Sequence, residues 1–145
     1  MNKYMEWKNK RQEEFNKLPI KYAFSDKQFK EGMEQLGLHE TETDKVFSIG
    51  GGGFMKKEDK PLLDKFIEED NFEELKQDKE FFIDMLVYEL GNHEYSYTRD
   101  LEDTLEACDI TQEQLENNER IREYFNEGLD KFKRLEKLDE YEEEE

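Results

Sequence analysis

Apolar residues recur three and four positions apart over most of the second half of the chain, the spacing that lines one face of an α-helix. Leu62, Leu63, Phe66 and Ile67 form one such stripe, Phe72 and Leu75 continue it, and Phe81, Phe82, Met85, Leu86 and Leu90 form another. The pattern predicts a helix opening at Asp59 and Pro61, where proline suits a first turn, then a break near Asp78. A second helix follows and is expected to end at Gly91. Leu101, Leu105 and Ala107 predict a short helix, and Thr111 with Gln114 a capping box for the next. Ile121, Phe125, Leu129, Phe132 and Leu135 predict a long one over residues 118–138. Nearer the N-terminus, Met5, Lys8, Gln12 and Phe15 place a helix over residues 3–17. Phe29, Met33 and Leu36 place another, capped by Ser25 or Asp26 and stopped by Gly37.

Three stretches alternate with period two and predict strands: residues 20–24, 45–49 and 93–98. The expected fold is α+β, a mainly helical single domain over residues 1–138 with a small three-stranded sheet. An acidic tail, residues 139–145, is expected to be disordered. Three short strands need a covering layer to be stable in water. Tyr22, Phe24, Phe47, Tyr95 and Tyr97 are therefore expected to share a core with Phe66, Phe82 and Phe125. The run Gly50 to Gly53 has no side chains to pack and is expected to connect two strands. A phosphate loop would want a Lys-Ser/Thr pair after the glycines, and Phe54-Met55-Lys56-Lys57 supplies no hydroxyl.

Charge changes this picture more than composition does. Only 34% of residues are apolar and 43% are charged, but eleven Phe, seven Tyr and one Trp bring large buried areas that offset the shortage. The net charge is −18. A phosphate backbone needs a positive surface, so direct nucleic-acid binding is not expected. No apolar run approaches the roughly 18 residues of a membrane span, because Asp84 and Glu89 interrupt Phe81 to Leu90. The single cysteine, Cys108, permits no intrachain disulfide, and the first residues lack the apolar stretch of a signal peptide, so a cytoplasmic protein is expected.

The charge is also polarised. The first 30 residues carry eight basic and four acidic groups, whereas the remaining 115 carry 14 and 36. An excess of this size exceeds the roughly 2–8 units that keep a small domain soluble. The acids recur on helices, where positions three or four apart lie about 5–6 Å from each other. Glu69, Asp70, Glu73, Glu74, Glu102, Asp103, Glu106 and Asp109 are the candidate partner-binding residues, a row of carboxylates that imitates a phosphate strand.

Other chemistry is sparse. Asp84, Glu89, His93 and Glu94 form the one cluster with metal-ligand character, but Tyr97 stands where a His-Glu-x-x-His motif needs its second histidine. A hydrogen-bonded His93 is expected instead, with no metal and no cofactor. Cys108 lies between Glu106 and Asp109, which raise a thiol pKa, and is expected in the core. No catalytic residues are identified, and the chain is read as a binding protein rather than an enzyme.

Three phrases carry a resemblance: Leu18 to Met33 (LPIKYAFSDKQFKEGM), Asp44 to Phe54 (DKVFSIGGGGF) and Tyr88 to Tyr95 (YELGNHEY). They resemble a family of small uncharacterised acidic proteins of Firmicutes and of their phages and mobile elements, over residues 18 to about 125. The resemblance transfers no catalytic residue and implies a mobile-element setting, where small acidic proteins inhibit host defence nucleases. The function expected is an anti-CRISPR-like viral inhibitor that evades host defence. As a DNA mimic, it would occupy the basic surface of a nucleic-acid-binding effector by protein–protein interaction. The alternative is a host-side accessory or scaffold protein that docks through Tyr88, Tyr95 and Tyr97, since tyrosine is favoured in interface cores.

Overall fold

Helix boundaries fall where short polar side chains satisfy the free backbone N–H groups of a first turn. In the computed structural model, which describes residues 1–144 and side chains as far as Leu138, helix α1 (Lys3–Asn16) begins at Asn2, whose Oδ1 accepts from Met5 N at 2.9 Å. Ser25 caps α2 (Asp26–Gln35), and Gly37 beyond it takes a positive φ of 78°. Pro61 sits in the first turn of α3 (Lys60–Glu68). The chain breaks around the single turn α4 (Phe72–Leu75) and resumes where Asp78 accepts from Phe81 N to start α5 (Lys79–Asn92). The turn α6 (Tyr95–Thr98) and α7 (Glu102–Ala107) follow. Thr111 and Gln114 form the reciprocal capping box of α8 (Gln112–Asn117), and α9 (Glu119–Glu144) closes the fold. The tail expected at 139–145 lies outside the residues whose side chains are described.

The fold is α+β and mainly helical, with one three-stranded antiparallel sheet in the order β1-β3-β2. Strands β1 (Lys21–Tyr22), β2 (Val46–Gly50) and β3 (Gly53–Lys56) pair Lys21 with Phe54 and Phe47 with Met55. The glycine run is the hairpin connection expected of it. Gly51 and Gly52 have φ of 58° and 80°, the sign that a two-residue type I′ turn requires at both positions. A Cβ at Gly52 would stand 2.6 Å from the Phe24 ring and 3.1 Å from the Ala23 carbonyl. Gly52→Ala should therefore cost about 1–2 kcal/mol in urea unfolding, from left-handed strain and crowding.

Two compact units result. Residues 10–70 hold the sheet, with Met33, Leu36 and Phe54 buried between β3 and α2. Gly32 is the position on α2 that admits the Phe54 ring, since a Cβ there would meet it at 2.8 Å. Residues 1–9 and 71–145 form a helical unit whose core gathers Tyr4, Phe82, Met85, Leu86, Leu90, Cys108, Ile110, Phe125 and Phe132. Among the described residues no helix is long and apolar enough to cross a membrane.

Three sequence expectations are corrected. Residues 93–98 are not a strand: Tyr95 packs on Phe132 at 6.0 Å within the helical unit, and Tyr95–Thr98 closes a helical turn. The third strand is Gly53–Lys56, the partner that the glycine turn delivers. Gly91 does not end its helix, which runs to Asn92, and Glu94 takes the left-handed position after it with φ 55°. The common aromatic core does not form either. Phe24 and Tyr97 are 76% and 88% exposed and Tyr22 is about half exposed, while Tyr95, Phe82 and Phe125 are buried in the helical core.

Candidate functional site

Between residues 100 and 119 there are eight carboxylates and no lysine, arginine or histidine: Asp100, Glu102, Asp103, Glu106, Asp109, Glu113, Glu116 and Glu119, all exposed. Local geometry explains why they face outward. Asp100 Oδ1 accepts from Glu102 N at 2.9 Å and sets the direction of α7. Thr104 and Cys108 then turn inward, both fully buried, and Ile110 follows them. At the far end, the buried Lys76 donates to the carbonyls of Cys108 and Asp109, each at 2.9 Å, satisfying backbone oxygens that a helix terminus leaves free. Leu101, Leu105 and Ile110 floor a shallow cavity of about 550 Å³, rimmed by Asp100, Glu102 and Glu106.

The excess charge is concentrated in one unit. Residues 10–70 hold 11 basic and 14 acidic side chains, a net of −3, whereas residues 1–9 and 71–145 hold 11 and 26, a net of −15. Among the described residues none of the eight carboxylates between 100 and 119 meets a cationic side chain within 4 Å.

The eight candidate residues divide accordingly. Glu102, Asp103, Glu106 and Asp109 lie together on α7 and the turn after it. Glu73 and Glu74 are on α4, and Glu73 is tied to Lys76 at 2.9 Å. Glu69 and Asp70 belong to the sheet-bearing unit, and Glu69 lies 3.8 Å from Lys65. Sequence reasoning left Asp100, Glu113, Glu116 and Glu119 out of the candidate set. Glu113 stands four positions after Asp109 and Glu116 three after Glu113, so acid-pair spacing registers both, and the 20-residue span without a cation is the signal that adds Asp100 and Glu119.

In a second arrangement, around Glu89, His93 is hydrogen-bonded as expected, and Tyr4 and Lys8 join it from α1. Glu89, 1% exposed, accepts from the Tyr4 hydroxyl at 2.7 Å, lies 3.4 Å from Lys8 Nζ, and has His93 Nε2 at 3.0 Å from its other oxygen. Burial opposes ionisation of this carboxyl, but the Tyr4 hydroxyl, the Lys8 ammonium and the Asn92 side chain outweigh it and hold its pKa below the ordinary range. The Tyr4 hydroxyl is pushed far up, by burial and then by that carboxylate. Burial also raises the Cys108 thiol to about 12, which leaves it protonated and unreactive at neutral pH.

Of the residues considered for a metal, Glu89 and His93 meet at 3.0 Å, but Asp84 and Glu94 do not join them. Asp84 accepts from Lys3 N at 2.8 Å at the start of α1, Glu94 is exposed, and Glu89 is taken up by Tyr4, Lys8 and His93. Among the described residues no group of three or more His, Cys, Asp and Glu is placed to hold a metal ion. Of the three tyrosines considered for docking, Tyr95 is buried and Tyr88 is half-buried against Tyr4 at 5.7 Å, so only Tyr97 is free.

Residues 3–131 match the family described as "Family of unknown function (DUF7659)". No curated protein and no solved structure matches the chain.

Proposed function

The chain belongs to the DUF7659 family, and since that membership assigns no activity, we propose a function from its own surface. It is a non-catalytic inhibitor that occupies the basic nucleic-acid-binding surface of a host defence nuclease. The stretch over 100–119 without a lysine, arginine or histidine supports this reading: short packed helices hold the carboxylates outward, and among the described residues none of them has an ion pair within 4 Å. Fixed charges of one sign steer a basic partner and raise the association rate, an effect that falls steeply with salt. The apolar floor at Leu101, Leu105 and Ile110 adds an apolar surface that a phosphate strand lacks. The setting proposed with it is that of a phage or mobile element of Firmicutes, acting in the host cytoplasm as an anti-CRISPR-like protein.

Mutual exclusion tests the reading. The immobilised protein should capture a defence nuclease free of nucleic acid, lose it progressively with salt, and fail to capture the same nuclease pre-loaded with its guide or target. Equal capture of the loaded and unloaded forms would remove mimicry. Capture that resists high salt would favour the alternative, a host-side accessory protein docking through exposed aromatics, of which Tyr97 is the remaining tyrosine.

A further inference from the structure

A cavity of about 350 Å³ between α6 and α9 is lined by Tyr95, Arg99, Lys133, Glu136 and Lys137. Three of these five are cations, in a unit whose net charge is −15. Of the five other lysines of that unit four are engaged, Lys3 with Glu80, Lys8 with Glu89, Lys76 with Glu73 and Lys79 with Glu127, and Lys131 lies outside this cavity. Lys133 and Lys137 are exposed, one helical turn apart, and have no carboxylate partner among the described residues.

The cavity already holds an oxyanion, supplied by its own chain. Glu136 receives the Ser96 hydroxyl on Oε1 and lies 3.4 Å from Arg99 Nη1 through Oε2. Arg99 is set over the Tyr95 ring, its guanidinium carbon 5.2 Å from the centroid, and Tyr95 is fixed in turn on Phe132. A guanidinium, a hydroxyl and an aromatic wall thus form a receptor for one carboxylate, with two ammonium groups left over at its rim. A single negative charge answers Arg99 alone, whereas a ligand with two or more answers the lysines as well. The acidic remainder of the protein does not forbid this, since at physiological salt charges beyond about 8 Å are largely screened.

We propose that this cavity is a binding site for a small phosphorylated anion of about pyrophosphate size, which displaces the Glu136 carboxylate from Arg99. The site is independent of the acidic surface on α7 and α8 and stands or falls separately from the inhibitor reading.

Pyrophosphate titrated into the full chain at constant ionic strength, followed residue by residue by NMR, tests it. Saturable shifts confined to residues 95–99 and 133–137 are expected. Lys133→Glu with Lys137→Glu should weaken binding by at least about tenfold, the effect of removing one close charge pair. Glu136→Gln should tighten it several-fold, because the competing carboxylate is gone while the shape is kept. Shifts that never saturate, or that spread equally to Lys3, Lys79 and the other exposed lysines, would overturn the site. So would a Glu136→Gln protein that binds no better than the native chain.

Discussion

Glu89→Ala should lower the unfolding free energy by about 3 kcal/mol, which for a chain of this size moves the melting temperature by roughly 10 °C. The substitution removes the acceptor of a buried Tyr4 hydroxyl and the partner of His93, and it opens a space where the γ-methylene and the carboxylate packed. Because the Glu89 carboxylate is the hub that joins the first two turns of α1, through Tyr4 and Lys8, to α5, the loss is not confined to one side chain. Glu89→Gln keeps the shape and an acceptor for Tyr4, and should cost only about 1 kcal/mol. Urea unfolding measures both, and a Glu89→Ala protein as stable as the native one would show that the hub contributes nothing net.

The hub also sets the direction of the pH dependence. The folded Glu89 carboxyl lies below its ordinary 4.5, so its contribution is complete above that value and is lost as pH falls through the folded pKa. The Tyr4 hydroxyl is raised above its ordinary 10.0, so its contribution is complete below that value and is lost as pH rises beyond it. Glu89→Gln should flatten the acid side of the stability profile, and Tyr4→Phe the alkaline side.

Much of the helical half was legible because local signals agreed with the final packing: Asp78, Thr111 and Ser25 cap where their side-chain chemistry requires it. The sheet was half legible. Two strands and the glycine connection follow from local pattern, but the third strand depends on which segment the hairpin turn delivers, and Gly53-Phe-Met-Lys56 shows little alternation. Tyr95 and Tyr97 alternate convincingly over four residues, too few to tell a strand from one helical turn, and Phe132 decided the matter from 37 positions away. Glu89 looked like an interruption of an apolar run. Its register with Phe82, Leu86 and His93 on one helix face was the signal that it points inward, while its partners Tyr4 and Lys8 lie more than 80 residues off and cannot be read from spacing.

Reversing Glu102, Asp103, Glu106 and Asp109 to lysine should weaken binding to a basic nuclease surface by at least about a thousandfold and nearly abolish its salt dependence. Close charge pairs across such interfaces couple by about 1.5 kcal/mol or more each, and here attraction becomes repulsion. The net charge moves from −18 to −10, so the protein stays strongly acidic and a general field effect cannot account for a loss of that size. The fold should survive, since all four are exposed and none has a cationic partner among the described residues. Lysines in the first turn of α7 and at the left-handed Asp109, φ 52°, should together cost about 1–2 kcal/mol, which circular dichroism and urea unfolding would report. A matched pair of double variants locates the site. Glu102→Lys with Glu106→Lys should weaken binding far more than Glu69→Lys with Glu74→Lys, because Glu69 is already answered by Lys65 and Glu74 neighbours the Glu73–Lys76 ion pair. Equal losses from the two doubles would mean that binding reads total charge rather than the α7 surface, and undiminished binding by the fourfold variant would remove the acidic surface from the mechanism altogether.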